Sequence, residues 1–231
     1  MSLLLREKNP ETPYIFVCTP TGNELPPMFD HWLSLGERLG SRVIPIMAGT
    51  LHSVVRKEKM LPNFRIRFCT RILKIEPYRQ FLMDRAKEGP VVSYVGLRAD
   101  EEGRAGGAYG DIEGISMSFP LREWGFTEEL VQETLRRFGV SCPLRTDCGD
   151  CYHQRLGEWY EYWRDYRDLA EKAVALEIEM GGTFRTPGRD TWPTALKDLF
   201  AEFEKDNVPS HSLKRMNRER MESGNCRVCS L

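Results

Sequence analysis

Two segments between residues 68 and 104 carry the clearest pattern in the chain. The first reads Phe68-Cys69-Thr70-Arg71-Ile72-Leu73-Lys74-Ile75-Glu76-Pro77, and the second reads Val91-Val92-Ser93-Tyr94-Val95-Gly96-Leu97-Arg98-Ala99-Asp100-Glu101-Glu102-Gly103-Arg104. The second is an apolar run that ends in glycine and charged residues, which predicts a buried parallel strand opening into a polar loop. Because ligands of open α/β sheets bind at the carboxyl ends of strands, this loop is a candidate site.

The first segment places a thiol and two cations at the start of a predicted helix. Arg71 and Lys74 are three residues apart, so an α-helix would present both on one face, where they can bind one anion. Cys69 beside Arg67 and Arg71 would have a lowered pKa, and a small buried thiol is the alternative. Pro77 is expected to kink this helix or to start a second segment. The side chains expected to face inward are Ile72, Ile75, Phe81 and Leu82.

Both segments resemble motifs of the phosphoadenosine-phosphosulfate (PAPS) reductase family. Those motifs are C-T-R/E-x-x-K-x-x-P and G-x-R-x-D-E-x-x-R, and the family belongs to the adenine-nucleotide α-hydrolase, or PP-loop ATP pyrophosphatase, superfamily. Pro120-Leu121-Arg122-Glu123-Trp124 is similar to the family's P-L-x-x-W, so the resemblance covers roughly residues 14 to 138. The remainder resembles a PAPS reductase-like subfamily that is often phage-encoded.

The resemblance implies an α/β fold with a Rossmann-like, mostly parallel sheet covered by helices. It also implies an oxidoreductase or transferase that acts on ATP or a PAPS-type nucleotide by sulfur or adenylyl transfer, including sulfonucleotide reduction with a thioredoxin-like reductant. Cys69, Lys74 and Arg98 would be catalytic. Cations that neutralise phosphate or sulfate oxygens would be Arg71, Lys74, Arg98 and Arg104. Asp100 would orient an arginine or a magnesium ion.

A second strand is predicted at residues 14–18, where an apolar run rich in β-formers ends at a turn. The sequence after it, Thr21-Gly22-Asn23-Glu24, resembles the family's T-G-x-E/D near the adenosine. Thr21, Gly22 and Glu24 are therefore expected to bind substrate. An ordinary structural turn is the competing interpretation, because glycine and asparagine are common turn formers.

The family's S-G-G-x-D-S phosphate loop does not occur in these 231 residues. Residues 1–7 look like the end of the helix that follows this loop, which indicates a start placed too far downstream, a truncation, or a true loss of the loop. Backbone N–H groups of the loop would hold the pyrophosphate, so independent ATP hydrolysis is not expected. A non-catalytic binding protein is the corresponding alternative.

Strand and helix signals alternate as far as residue 138, which is typical of a parallel sheet with covering helices. Pro26 and Gly40 delimit a helix, strands are predicted at 42–46 and 115–119, and Thr127 caps another helix. The glycine-rich residues 103–114 form either a substrate lid or a flexible loop. Beyond residue 151 aromatic and aliphatic stripes at helical spacing predict core helices. We therefore expect an α/β nucleotide-binding domain over 1–140 and a helical, cysteine-bound subdomain over 141–231.

Two Cys-x-x-Cys pairs form the second strong signal, Cys148 with Cys151 and Cys226 with Cys229. Each pair can hold one metal ion from a tight turn, and four thiolates suit zinc or a [4Fe–4S] cluster. A redox-active dithiol and unrelated thiols are the alternatives. The family's E-C-G-x-H context around a nucleophilic cysteine is absent from the sequence.

Hydropathy and cysteine content indicate where the protein is located. No apolar run approaches the roughly 18 residues of a membrane span, and seven cysteines with two Cys-x-x-Cys pairs suit reduced thiols, so we expect a cytoplasmic protein that does not bind membranes.

The net charge is −1, but residues 56–79 hold eight Lys or Arg against two Glu. This basic segment could bind a nucleotide, or it could bind DNA or tRNA if the protein is a nucleic-acid thiolation enzyme. The alternative is an ordinary solvated face with no ligand. The nucleic-acid alternative would extend it to Lys214, Arg215, Arg218 and Arg220. No functional role is predicted for His31 or His52. The sequence does not indicate an oligomeric state.

Overall fold

The computed structural model describes residues 1–104, 106, 109–141, 143, 145 and 148–223, with side chains described as far as residue 218. In chain order its elements are α1 (Ser2–Lys8), β1 (Phe16–Cys18), α2 (Pro26–Leu39), β2 (Val43–Pro45), α3 (Leu51–Glu58), α4 (Phe68–Thr70), a π-helical turn (Arg71–Ile75), α5 (Glu76–Ala86), β3 (Val91–Tyr94), β4 (Ile115–Ser118), α6 (Pro120–Glu123), α7 (Glu128–Arg137), α8 (Leu156–Asp165), α9 (Arg167–Met180), α10 (Leu196–Glu204) and α11 (Ser210–Ser223).

The four strands form two parallel pairs. β1 pairs with β2, with Phe16 opposite Val43, and β3 pairs with β4, with Val91 opposite Ile115. Within the described residues these are two separate two-stranded sheets. The expected α/β class and the parallel direction of the strands are confirmed at this level.

Local signals set the limits of α2 as the sequence predicts. Pro26 occupies the first turn, where its missing N–H has no intrahelical partner to lose. Gly40 ends the helix with a φ of 61°, a left-handed conformation that glycine adopts without a steric penalty.

The helix that begins at Phe68 contains a π-turn that the sequence analysis missed. Pro77 has no N–H to donate to the carbonyl of Leu73, and just before it the N–H of Glu76 bonds to the carbonyl of Arg71, five residues earlier. The wider turn changes which side chains face inward. Leu73 is fully buried, whereas Ile75 is 43% exposed. The expectation that Ile75 packs inward is therefore wrong.

The largest hydrophobic core joins the first and last thirds of the chain. It includes Leu51 and Val55 of α3 and Leu73 of the π-turn, packed with helices of the last third. Trp159, Leu176, Leu199 and Phe203 supply the opposite side. The aromatic stripes after residue 151 are therefore core, as predicted, and this core crosses the boundary expected near residue 140.

None of the helices in the described ranges combines the length and the apolar character needed to cross a membrane.

Candidate functional site

The loop after β1 is held in shape by its own glutamate. Glu24 Oε1 accepts a hydrogen bond from the Thr21 N–H at 2.6 Å and another from the Thr21 hydroxyl at 2.8 Å. The Thr21 carbonyl accepts the N–H of Leu51 at 2.7 Å, which fastens the loop to the start of α3. Gly22 has a φ of 69°, and a Cβ there would lie 2.8 Å from the Thr50 methyl group, so only glycine fits without displacement.

This arrangement leaves two buried polar atoms of the loop unsatisfied. Glu24 Oε2 and Asn23 Nδ2 have no hydrogen-bond partner among the residues that the structure describes. A buried polar group without a partner costs roughly 1–3 kcal/mol, so such groups mark places where a ligand or water binds. Burial, and then the charge of Glu24, raise the pKa of the neighbouring Cys18 thiol to about 11. The loop therefore offers one acceptor and one donor beside a thiol that stays protonated.

The first Cys-x-x-Cys pair lies directly against this loop. Cys148 forms an isolated antiparallel bridge with Glu24, and the N–H of Gly149 donates to the carbonyl of Asn23 at 2.6 Å. The N–H of Cys151 donates to the carbonyl of Cys148 at 3.3 Å and closes the tight turn that the spacing predicts. The structure thus brings the predicted substrate loop and two predicted metal ligands together.

Cys69 is a third thiol at this place. Burial, followed by the nearby Cys151, raises its pKa, while the Thr70 backbone and Lys74 act in the opposite direction with smaller effect. The expected lowering of this pKa is therefore wrong. Desolvation outweighs Lys74 and the Thr70 hydrogen bonds because the thiolate would have to lie in a largely buried position next to another sulfur.

A buried carboxylate anchors the cysteine turn from beneath. Asp150 is fully buried, and its Oδ1 accepts a hydrogen bond from the Tyr162 hydroxyl at 2.7 Å. Its Oδ2 lies 2.6 Å from Nε2 of His52, which is 98 residues away in the chain. Burial and then Asp150 raise the pKa of Tyr162, so its hydroxyl keeps its proton and remains a donor. The sequence analysis assigned His52 no role.

The predicted four-cysteine site is only half described. Cys148 and Cys151 are within the described residues, whereas Cys226 and Cys229 lie outside them, as does the Arg220 side chain. Within the described ranges, no group of three or more histidine, cysteine, aspartate or glutamate side chains is arranged to hold a metal ion.

The cations after β3 are already paired with carboxylates. Arg98 Nε donates to Asp100 Oδ1 at 2.8 Å, and its Nη2 lies 3.5 Å from Glu128 Oε2. Arg104 Nη1 donates to Glu101 Oε1 at 2.7 Å. Asp100 Oδ2 also accepts the N–H of Glu128 at 3.0 Å, so this carboxylate, and not the Thr127 side chain, caps α7. The three predicted residues of this loop therefore all lie in internal ion pairs, and the N–H of Arg98, which donates to Glu101 Oε2 at 2.9 Å, links the two groups.

Arg122, from the segment similar to P-L-x-x-W, holds the same loop from the side. Its Nη2 donates to the Glu101 carbonyl at 2.7 Å and also to the Arg104 carbonyl. The sequence analysis gave this arginine no role, although it lay within a quoted motif. It fixes the backbone that presents Arg98 and Arg104.

Arg71 and Lys74 form the third group of predicted residues. Arg71 pairs with the exposed Glu76, and Lys74 is exposed and makes no hydrogen bond or ion pair with a described residue. Because they lie in the π-turn, they do not share one face as residues three apart do in an α-helix. Lys74 acts electrostatically on Cys69, which places it beside the thiols.

A scan against protein-family models, a search of curated proteins and a search of solved structures found no match to this chain.

Proposed function

We propose that the protein is a PAPS reductase-like enzyme that binds an adenine nucleotide beside β1 and carries out sulfur or adenylyl transfer. One observation carries this proposal: Glu24 Oε2 and Asn23 Nδ2 are buried at the carboxyl end of a parallel strand without a partner among the described residues, and the Cys148 turn lies against them. Ligands of α/β sheets bind at this end of the strands.

The nucleoside is the part of the substrate that this loop suits. A carboxylate oxygen at the end of a strand accepts hydrogen bonds from ribose hydroxyls in many nucleotide sites. Glu24 Oε2 would take that role, and Asn23 Nδ2 would donate to a ribose oxygen or to a ring nitrogen of adenine. Both atoms would then have the partners that the described part of the chain does not provide.

Lys74 would be the main cation that binds the phosphate or sulfate groups of the substrate. Its charge is not balanced by a described carboxylate, and it acts on Cys69 in the same region. Arg98 and Arg104, each held by carboxylates, would keep the loop after β3 in shape and contribute a more distant positive field. Lys74 would supply the preorganised cation that developing charge on a phosphate or sulfate requires.

Cys148 and Cys151, with Cys226 and Cys229, would hold zinc or a [4Fe–4S] cluster. The tight turn from Cys148 to Cys151 is the kind of turn from which two thiolates can coordinate one metal ion. Elemental analysis of freshly purified protein, combined with an absorption spectrum, separates the cases. One zinc per chain without visible absorption indicates a structural site, and iron with a broad band indicates a cluster. Neither metal, with a titratable disulfide, supports a dithiol served by a thioredoxin-like reductant.

The test of nucleotide binding is a calorimetric titration with ATP and with PAPS, using GTP as the specificity control. Glu24→Gln places an amide where the free acceptor oxygen lies. We expect it to weaken adenine-nucleotide binding roughly 10- to 100-fold, the value of a hydrogen bond to a charged group. Glu11→Gln is the matched control, because Glu11 is exposed and forms no hydrogen bond with a described residue. Equal affinities for the two variants would remove the loop from the site.

A further inference from the structure

A polar cleft lies among the helices of the last third of the chain. Its volume is about 890 Å³, which is within the roughly 300–1,000 Å³ that is usual for ligand sites. Three arginines from separate segments line it, namely Arg155 before α8, Arg189 between α9 and α10, and Arg215 of α11, together with His153 and His211. Among the described residues that line this arginine cleft, none belongs to the loop after β1.

The carboxylates that line the arginine cleft already have cationic partners. Asp190 accepts two hydrogen bonds from Nη2 of Arg185, at 2.8 and 2.7 Å, and Arg185 is a buried residue outside the lining. Glu158 Oε2 accepts the N–H of Arg155 at 2.7 Å, and its Oε1 lies 3.8 Å from Nη2 of the same arginine. Arg185 and Arg155 therefore balance the two negative charges of the cleft.

Arg189 is fixed in the cleft by neutral acceptors. Its Nη1 donates to the Gln154 carbonyl at 2.8 Å, and its Nη2 donates to the His153 carbonyl at 3.4 Å. Arg189 forms no ion pair with a described residue. Partial burial of its guanidinium, and then the nearby charge of Arg185, lower the pKa of Arg189. The two carbonyls thus hold a cation in place without neutralising it, and a bound anion would supply the missing charge.

We propose that the arginine cleft binds a phosphate group, which accepts hydrogen bonds from Arg189 and Arg215. The planar guanidinium suits phosphate because its N–H groups form a fork that matches two of the oxygens. Two sources present this chemistry, a free phosphate ion and the terminal phosphate of a nucleic-acid strand. For a strand, the ring of Phe64 offers a surface on which a base can stack. Phe64 is 48% exposed, and its centroid lies 5.9 Å from Cζ of Arg189.

The test is an NMR titration in which the arginine Nε–H signals of the full chain are followed. The probes are inorganic phosphate and hexathymidylate with and without a terminal phosphate. None of them contains adenine, so the result is separate from nucleotide binding beside β1. We expect saturable binding of at least one phosphate-bearing probe, and we expect Arg189→Gln and Arg215→Gln each to weaken it roughly 10- to 100-fold, the value of a hydrogen bond to a charged group.

Arg136→Gln is the matched control for the loss of one positive charge. Arg136 is exposed, its Nε donates to the backbone carbonyl of Gln132, and it does not line the cleft. Because Arg189 also holds two carbonyls, circular dichroism is used to check that Arg189→Gln is folded. Arg215 is exposed, so its variant keeps the test decisive if Arg189→Gln does not fold.

Two supporting results distinguish the sources of the phosphate. Tighter binding of the phosphorylated hexathymidylate than of inorganic phosphate assigns the cleft to a strand end, and equal or weaker binding assigns it to a free phosphate ion. Three results would overturn the inference. These are no saturable binding of either phosphate-bearing probe, equal affinities of Arg215→Gln and Arg136→Gln, and hexathymidylate that binds equally with and without its terminal phosphate while inorganic phosphate does not bind.

Discussion

Replacing Tyr162 by phenylalanine tests how the cysteine turn is fixed to the helical core. The change removes only the hydroxyl that donates to Asp150 Oδ1 at 2.7 Å, and Tyr162 is fully buried, so no water can take its place easily. A hydrogen bond to a charged acceptor contributes roughly 1.5–3 kcal/mol to the free energy of unfolding. In a chain of this size about 2 kcal/mol corresponds to a fall in Tm of roughly 4–8 °C.

The assay is urea denaturation followed by tryptophan fluorescence, with Tyr166→Phe as the matched control. Tyr166 is partly exposed and its hydroxyl makes no hydrogen bond with a described residue, so its loss should cost less than about 0.5 kcal/mol. In an Asp150→Asn background the Tyr162→Phe change should cost about 1–2 kcal/mol less, because its acceptor is already altered. Equal costs for the two tyrosine variants, or full additivity with Asp150→Asn, would refute the role given to this hydrogen bond.

Two further predictions concern Glu177 and Lys74. Burial raises the pKa of Glu177 to about 7 from 4.5, although the N–H groups of Phe184 and Leu196 donate to it. The native state therefore binds this proton more tightly than the unfolded chain, so protonation of Glu177 raises the free energy of unfolding. This stabilisation is fully present below pH 4.5 and is lost as the pH rises to about 7, by at most about 3 kcal/mol. Denaturation midpoints at pH 5 and pH 8 should differ less in Glu177→Gln than in the wild type, and an unchanged difference would contradict the assignment. Lys74→Ala should weaken ATP binding several-fold in calorimetry without changing the free energy of unfolding. The control Lys172→Ala, at an exposed position, should change neither quantity. Equal ATP affinities of the two variants would exclude Lys74 from the site.

Local sequence signals were sufficient to predict the helix, the strands and the turn that surround the candidate site. Pro26 and Gly40 limit α2, the apolar runs form the parallel strands, and the Cys148 turn closes as its spacing requires. These features depend on a few neighbouring residues and on backbone preferences, which the sequence displays directly.

Contacts between distant segments were not predictable in the same way. His52 and Asp150 are 98 residues apart, and nothing in either segment indicates the other. Arg98 was expected to meet substrate oxygens, yet Glu128, 30 residues later, supplies a carboxylate beside it. The π-turn depends on how Pro77 interrupts the helix, which changed the side chain that reaches the core. Tertiary packing decided the first two of these points, and single-sequence patterns do not contain it.

We propose that an adenine nucleotide binds beside β1, at the loop against which the first cysteine turn packs. Hydrogen exchange followed by mass spectrometry, with and without saturating ATP, tests it most directly. We expect slower exchange in peptides covering residues 19–25 and 148–154, and little change in α9, whose buried side chains pack in the largest hydrophobic core. Unchanged exchange at residues 19–25 in the presence of saturating nucleotide would contradict the claim.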